Sequence, residues 1–218
     1  MKIGKMIPRK GEFWISFSIC TMLIATGLVI NYSQPKPPKE DLKAPTVSRQ
    51  APSSIKPSVK EIQQYTVAPD LPRYISIPAI HIDQARVIQL GLDKNNQIAS
   101  PANIFDAGWY NASAKPGTPG AMFIYGHVSS WTANGLFHDL KKLKPGNTIT
   151  IERGDGQKFT FAVKATKTYD ANNVDMGAAL TPVEPNTQGL NLMTCTGQVI
   201  KGTSEFNERL VVFASLQQ

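Results

Sequence analysis

Apolar and polar positions along the 218-residue chain fall into three successive regimes. Residues 13–30 are uncharged and mostly apolar, with no wet face of the kind a surface helix carries. A helix of that length rises about 27 Å, near the hydrocarbon thickness of a bilayer. Residues 33–70 show neither period. Seven prolines (Pro35, Pro37, Pro38, Pro45, Pro52, Pro57 and Pro69) interrupt any helix, and Lys, Ser and Gln dominate between them. Such a stretch buries too little apolar surface to offset its ordering entropy, so it reads as a tether with one short helix near residues 58–65. From Leu71 onward the pattern becomes short alternating or apolar runs broken by Gly, Pro, Asn and Asp. These runs predict strands at 74–77, 85–89, 120–125, 148–153, 158–169, 190–195 and 209–215. Gly154-Asp155-Gly156 is a hairpin signal between two of them. Helical periodicity is scarce; residues 135–143 fit one or two turns, closed by Lys144-Pro145-Gly146. An all-β fold, a closed barrel or a sandwich, follows. The 148 residues of 71–218 suffice for one such core.

Charge sharpens this division. The net charge is +7, but residues 1–70 hold 10 Lys and Arg against 5 Asp and Glu, whereas residues 71–218 hold 13 against 11. The basic excess therefore flanks the apolar run rather than coating the folded part. With no basic run carrying interleaved aromatics, nucleic acid is not an expected partner. Lys2, Lys5, Arg9 and Lys10 precede the apolar run, which puts that end in the cytoplasm and the C-terminal bulk outside. A cleaved signal peptide would have an apolar region of about 7–15 residues ending in a small-x-small site. This run is longer and lacks that site, so it reads as an uncleaved signal anchor. The expected organisation is a basic cytoplasmic N-terminus at 1–12, a transmembrane anchor at 13–32, a Pro-rich extracellular linker at 33–70 and a folded domain at 71–218.

The chain has two cysteines. Cys20 lies within the apolar run, not at its end as a lipid-attachment site requires. Cys195 is the only thiol of the folded domain, so no disulfide framework is possible there. It closes the predicted strand Leu190-Asn191-Leu192-Met193-Thr194-Cys195. His127 closes another strand, in Tyr125-Gly126-His127, and Arg209 opens the last one. A thiol needs a base or a nearby positive charge to become a thiolate. An imidazole supplies the base and later an acid. A guanidinium, always charged and rich in donors, holds a carbonyl or oxyanion. Thr194 adds a hydroxyl beside the thiol. Taken singly, each has a plain structural reading: a buried small hydrophobe, a turn histidine, a solvated strand end. His81 and His138 fall in no catalytic pattern and read as structural or surface residues. Trp109, Tyr110 and Trp131 read as packing residues, with Trp131 close enough after His127 to reach a cleft rim. Asp170, Asp175 and Glu184 are dispersed and make no carboxylate cluster for a metal; neither metal nor cofactor is expected.

Taken in order, these segments resemble the sortases, the membrane-anchored cysteine transpeptidases of Gram-positive surfaces. Leu192-Met193-Thr194-Cys195 resembles their Thr-Leu-x-Thr-Cys signature, and Tyr125-Gly126-His127 their Gly-His. Arg73-Tyr74-Ile75-Ser76-Ile77-Pro78-Ala79-Ile80 resembles their opening strand. Gly108-Trp109-Tyr110 and Lys115-Pro116-Gly117-Thr118-Pro119-Gly120 resemble the approach to the histidine strand. Leu136-Phe137-His138-Asp139-Leu140 with Leu143-Lys144-Pro145-Gly146-Asn147, and Asn207-Glu208-Arg209-Leu210-Val211-Val212, complete the series. The resemblance spans residues 73–216, and Gly-Trp-Tyr is closest to class E and class F sortases.

The resemblance implies an eight-stranded β-barrel, Cys195 as nucleophile, His127 as general acid/base, Arg209 as oxyanion or substrate stabiliser, and Thr194 in support. It implies cleavage of a Leu-Pro-x-Thr-Gly-like sorting signal through a thioester, then transfer to an amine of a cell-wall precursor or another protein. It further implies a single-pass membrane protein of a Gram-positive-type bacterium with an extracellular catalytic domain. Asn191 departs from the pattern, standing at the signature's first threonine. The 13 residues from Thr196 to Glu208 lack the acidic pair of some relatives. Substrate contacts are expected in the 170–189 loop and the loop after Cys195. Two alternatives remain. An L,D-transpeptidase would carry its histidine close before the cysteine, whereas here 68 positions separate them. A non-catalytic relative that only binds peptides would need none of the three catalytic side chains.

Overall fold

A computed structural model describes residues 51–217. The expected cytoplasmic N-terminus, membrane anchor and first part of the linker lie outside the described residues. Among the described residues no helix is long and apolar enough to cross a membrane.

Eight strands close into a barrel: β1 (Pro72–Ile77), β2 (Ile82–Leu90), β3 (Ala107–Tyr110), β4 (Gly120–Gly126), β5 (Thr148–Arg153), β6 (Lys158–Asp170), β7 (Gln188–Val199) and β8 (Phe206–Leu216). Their order round the barrel is β1-β2-β3-β4-β7-β8-β6-β5. Closure leaves no strand edge unpaired. Most neighbours are antiparallel, but β2–β3 and β4–β7 are parallel and so need crossovers. The β4-to-β7 crossover contains the β5–β6 hairpin, turned at Gly156 with φ 86° as its Gly-Asp-Gly sequence predicts.

Alternation along the strands sorts side chains between two layers. Met122, Ile124, Leu190, Leu192, Leu210 and Val212 join the cluster that fills the barrel. Their sequence neighbours Phe123, Met193, Val211 and Phe213 form a second cluster outside it, with Ala179 and partly buried Val174 and Met176. The short helix α2 (Met176–Ala179) lies in the β6–β7 connection and supplies that outer cover.

The structure extends the sequence expectation in three places. Strand β3 was not predicted. It has only four residues, three of them buried in succession, so it shows no period of two. Strands β7 and β8 run past their predicted ends, to Val199 and back to Phe206. Their extensions are exposed or half-buried and are held by backbone pairing, which leaves no hydrophobic signature. Cys195 and Arg209 therefore sit within paired strands rather than at strand ends. Third, residues 51–70 pack on the barrel instead of running free. Helix α1 (Val59–Gln63) falls where expected, opened by a Ser58–Glu61 capping box, yet buries none of its residues. Polar contacts hold this segment. The Tyr65 hydroxyl donates to Val87 O at 2.7 Å, Arg73 Nε donates to Tyr65 O at 2.7 Å, and Tyr74 donates to Ile62 O. Further upstream, Ser53 N donates to Ala102 O at 2.8 Å and receives Ile104 N at 3.0 Å on its own carbonyl. A composition argument based on apolar burial does not see such bonds.

One ion pair is largely enclosed. Arg86 on β2 makes two parallel 2.9 Å bonds to Asp106, the residue before β3. Burial raises the Asp106 carboxyl above its ordinary range, and Arg86 works against that shift.

Candidate active site

Three adjacent strands, β4, β7 and β8, carry the site. Cys195 is the register partner of Arg209 across the antiparallel β7–β8 pair. On the other side of β7, parallel β4 is matched with Tyr125 against Met193. His127 follows the last residue of β4 by one position. With a side-chain period of two, Tyr125 and His127 share a face, as do Met193 and Cys195, and Arg209 and Val211. The outer cluster marks this as the barrel's exterior face. The structure thus brings Cys195, His127 and Arg209 onto three neighbouring chain segments, although they are up to 82 positions apart in sequence.

His127 is held from two directions. Its carbonyl accepts from Phe137 N at 2.9 Å, while Gly135 N donates to Val128 O at 3.0 Å. Both flanking glycines are sterically required. A Cβ on Gly126 would lie 2.5 Å from the Phe137 ring, and one on Gly135 would lie 2.4 Å from the His127 carbonyl oxygen. The imidazole Nε2 is 2.8 Å from Pro101 O, in the β2–β3 connection. A carbonyl only accepts, so Nε2 carries the hydrogen and Nδ1 is the free basic nitrogen of the neutral ring. Burial lowers the His127 pKa from its ordinary value, and the Pro101 bond partly offsets this. The resting ring is accordingly neutral at physiological pH.

Cys195 is a free, half-buried thiol. It lines a cavity of about 150 Å³ with Val128, His138, Lys141, Phe206 and Leu210. His127 lines a larger neighbouring cavity of about 470 Å³ with Ser54, Ser130, Trp131 and Val199. Ser129 and Phe206 border both cavities. Trp131 is 83% exposed on the rim of the larger one, whereas Trp109 is buried and its indole donates to Ala114 O at 3.1 Å. The upstream segment forms part of the same wall, where Ser54 Oγ lies 2.8 Å from Ser130 Oγ.

Arg209 directs Nη1 to the carbonyls of Phe206 and Glu208, both at 2.9 Å. Those bonds fix the guanidinium and leave further donors for a bound carbonyl. Thr194 takes a different part. It is buried on the inner side of β7, and its hydroxyl donates to Gly126 O at 2.8 Å. Its one hydrogen ties β7 to β4 between Tyr125 and His127, and Thr194 also borders the cavity that Cys195 lines.

Sequence reasoning did not single out two contributors, Tyr125 and Pro101, and gave Asn191 no structural part. The Tyr125 phenol lies 3.2 Å from Cys195 Sγ, and its ring stands edge-on to His127 with centroids 6.1 Å apart. The spacing of Tyr125 two before His127, on one strand face, is the signal that could have found it. Pro101 contributes only a backbone carbonyl, for which no sequence signal exists. Asn191, fully buried, donates to Ala179 O at 2.8 Å and Thr181 O at 2.9 Å, anchoring the β6–β7 connection. His138, expected as structural or surface, borders the Cys195 cavity, with Nδ1 3.3 Å from Val128 O. His81 lies elsewhere, capping the turn at Pro78–Ile80 with φ 57°.

Residues 75–217 match the family model described as the sortase domain. No curated protein matches the chain. Among solved structures, sortase A from Corynebacterium diphtheriae is 25% identical over 69% of this chain and 61% of its own, with a TM-score of 0.49. The chain thus covers less than two thirds of that protein. A lid mutant of the same sortase A is 25% identical over 72% of this chain and 74% of its own, at TM-score 0.51. Sortase C from Streptococcus pneumoniae, described for its catalysis and pilin substrate specificity, is 21% identical over 77% of this chain and 75% of its own, at TM-score 0.51.

Proposed function

This chain belongs to the sortase family, and from that premise we propose that it is a cysteine transpeptidase that cleaves a Leu-Pro-x-Thr-Gly-like sorting signal and joins the released protein to an amine of the cell wall. The observation that carries the reading is the Cys195–Arg209 register pair with His127 at the adjoining end of β4. An accidental thiol has no reason to pair with an arginine across one strand and to lie beside a histidine at the end of the next.

The steps follow from these positions. The Cys195 thiol gives its proton to Nδ1 of His127, and sulfur attacks the threonine carbonyl of the signal. Arg209 holds the oxyanion that forms. Collapse breaks the peptide C–N bond, His127 protonates the departing amine, and a thioester remains on Cys195. An acceptor amine then attacks the thioester, passes its proton back to His127, and expels the cysteine sulfur. Burial of His127 suits both roles, because a lowered pKa leaves the ring ready to accept and quick to release a proton.

The long apolar run at 13–32 and the basic residues before it support a membrane anchor with the barrel outside, in a Gram-positive-type cell, and Gly108-Trp109-Tyr110 supports class E or F. Protease accessibility of the barrel in intact cells tests the orientation. For the chemistry, the full chain is incubated with a Leu-Pro-x-Thr-Gly peptide, with and without added amine. The expected result is a covalent adduct retaining the peptide through threonine, then amine-dependent product. Cys195→Ala abolishes the adduct. An adduct that survives that substitution overturns the reading, as does peptide binding without turnover.

A further inference from the structure

The Tyr125 phenol has no assigned part in the chemistry above, yet it touches the reacting atom. Its oxygen is 3.2 Å from Cys195 Sγ, within sulfur hydrogen-bond range. Among the described residues this is the hydroxyl's one hydrogen bond by distance and angle, with Ser100 as its other polar neighbour. When sulfur bears a hydrogen, either group could donate. A thiolate has no hydrogen, so in the attacking form the phenol is necessarily the donor.

The surroundings favour that direction. Burial, followed by the charge of the adjacent cysteine, raises the phenol well above its ordinary range, so it keeps its hydrogen under all working conditions. Strand pairing fixes the distance. Thr194 is bonded to Gly126, the residue after Tyr125, which locks β4 to β7 beside the contact. The ring also stands edge-on to His127, so one side chain borders both the nucleophile and its base. The other titratable or charged groups around Cys195 are Arg209 on β8, His127 beyond β4, and His138 and Lys141 across the small cavity. The Glu208 carboxylate lies farther along, against Gly197.

We propose that Tyr125 is a catalytic residue whose phenol donates a hydrogen bond to the Cys195 thiolate and so sets the reactivity of the resting nucleophile. The bond is strong while sulfur is anionic and weak once sulfur is acylated, because a thioester sulfur carries no charge. It therefore favours the free thiolate before attack and again when the acceptor amine expels sulfur. It forms and breaks no covalent bond, and the phenol hydrogen stays on oxygen throughout. The role rests on Cys195 being the nucleophile of the proposed reaction, but its test does not need a sorting signal.

The experiment is the pH profile of Cys195 alkylation by iodoacetamide in the full chain, followed by mass of the modified peptide. With Tyr125→Phe, the profile should move to higher pH, and the rate at neutral pH should fall about tenfold or more, the range of one hydrogen bond to a charged group. The alkaline plateau should be unchanged or slightly faster, since an unbonded thiolate is the better nucleophile. Site-specific 3-fluorotyrosine at position 125, a stronger donor of nearly the same shape, should shift the profile to lower pH. Profiles that superimpose on the parent overturn the proposal. So does a rate lowered equally at every pH, which marks mere mispacking. If the Phe variant fails to fold, the fluorotyrosine profile decides alone: a downward shift supports the proposal and no shift overturns it. Loss of peptide transfer with these shifts intact would count against the transpeptidase reading and not against the Tyr125 bond.

Discussion

The two faces of β4, β7 and β8 make opposite uses of the same backbone. On the inner face Ile124, Leu192 and Val212 are fully buried in the barrel filling. On the outer face Tyr125, Cys195 and Arg209 remain half-buried and form the candidate site. Thr194 and Cys195 show the contrast in two adjacent residues, one buried and bonded to Gly126, the next half-buried with its sulfur beside the Tyr125 phenol. The comparison teaches that the barrel is the instrument that aims the site. A packed interior fixes strand register, and register decides which distant residues meet.

Substitutions on either face separate these uses. The largest effect is Cys195→Ala on the outer face. It should remove all covalent adduct formation while the thermal melting curve stays close to the parent's. Its inner-face counterpart, Leu192→Ala, should do the reverse. A fully buried leucine cut to alanine costs about 2–5 kcal/mol, read by denaturant unfolding, while residual folded protein still alkylates at Cys195. A melting loss for Cys195→Ala as large as that for Leu192→Ala would erase the distinction.

Next is Arg86→Ala, away from both faces. It leaves Asp106 buried without its partner and should cost about 3–5 kcal/mol by the same unfolding measurement. Thr194→Val tests the tie between the faces. It leaves the Gly126 carbonyl without its hydroxyl partner, a loss of about 1–3 kcal/mol in stability. It also loosens β4 against β7 beside the Tyr125–Cys195 contact, so the pH profile of Cys195 alkylation should move to higher pH.

The smallest expected effect is a pH dependence. Burial sets the His127 pKa below its unfolded value, so the unfolded chain takes the proton first as pH falls. The stability tied to neutral His127 is complete above the unfolded value of about 6.5 and is lost as pH falls through the folded one. His127→Gln should flatten the melting temperature against pH in that acid window. A profile as steep as the parent's would show that the acid loss lies elsewhere.

Much of this was legible in the chain. Alternation in β5 and β6, longer apolar runs in β4, β7 and β8, and turn residues at their ends made seven strands legible. Cys195, His127 and Arg209 were legible because each residue type stands in a recognisable local motif. Strand β3 was hidden by its brevity and its burial on both faces. The packing of residues 51–70 was hidden because hydrogen bonds exchanged between that segment and the barrel, in both directions, leave no hydrophobic pattern in the sequence. Pro101 acts through its backbone alone, and Asn191 acts by reaching a connection ten residues or more upstream.

The sequence by itself determined which side chains are available and which strand faces are apolar, because composition and a period of two are local properties. It determined the family as well, through several short motifs in a fixed order. Only the tertiary structure decided what those side chains meet. Parallel pairing of β4 with β7 put a phenol against the Cys195 sulfur, and the β2–β3 connection fixed which imidazole nitrogen is free. These contacts join residues 26 and 70 positions apart, and their distances follow from strand register and barrel closure rather than from any neighbouring residue.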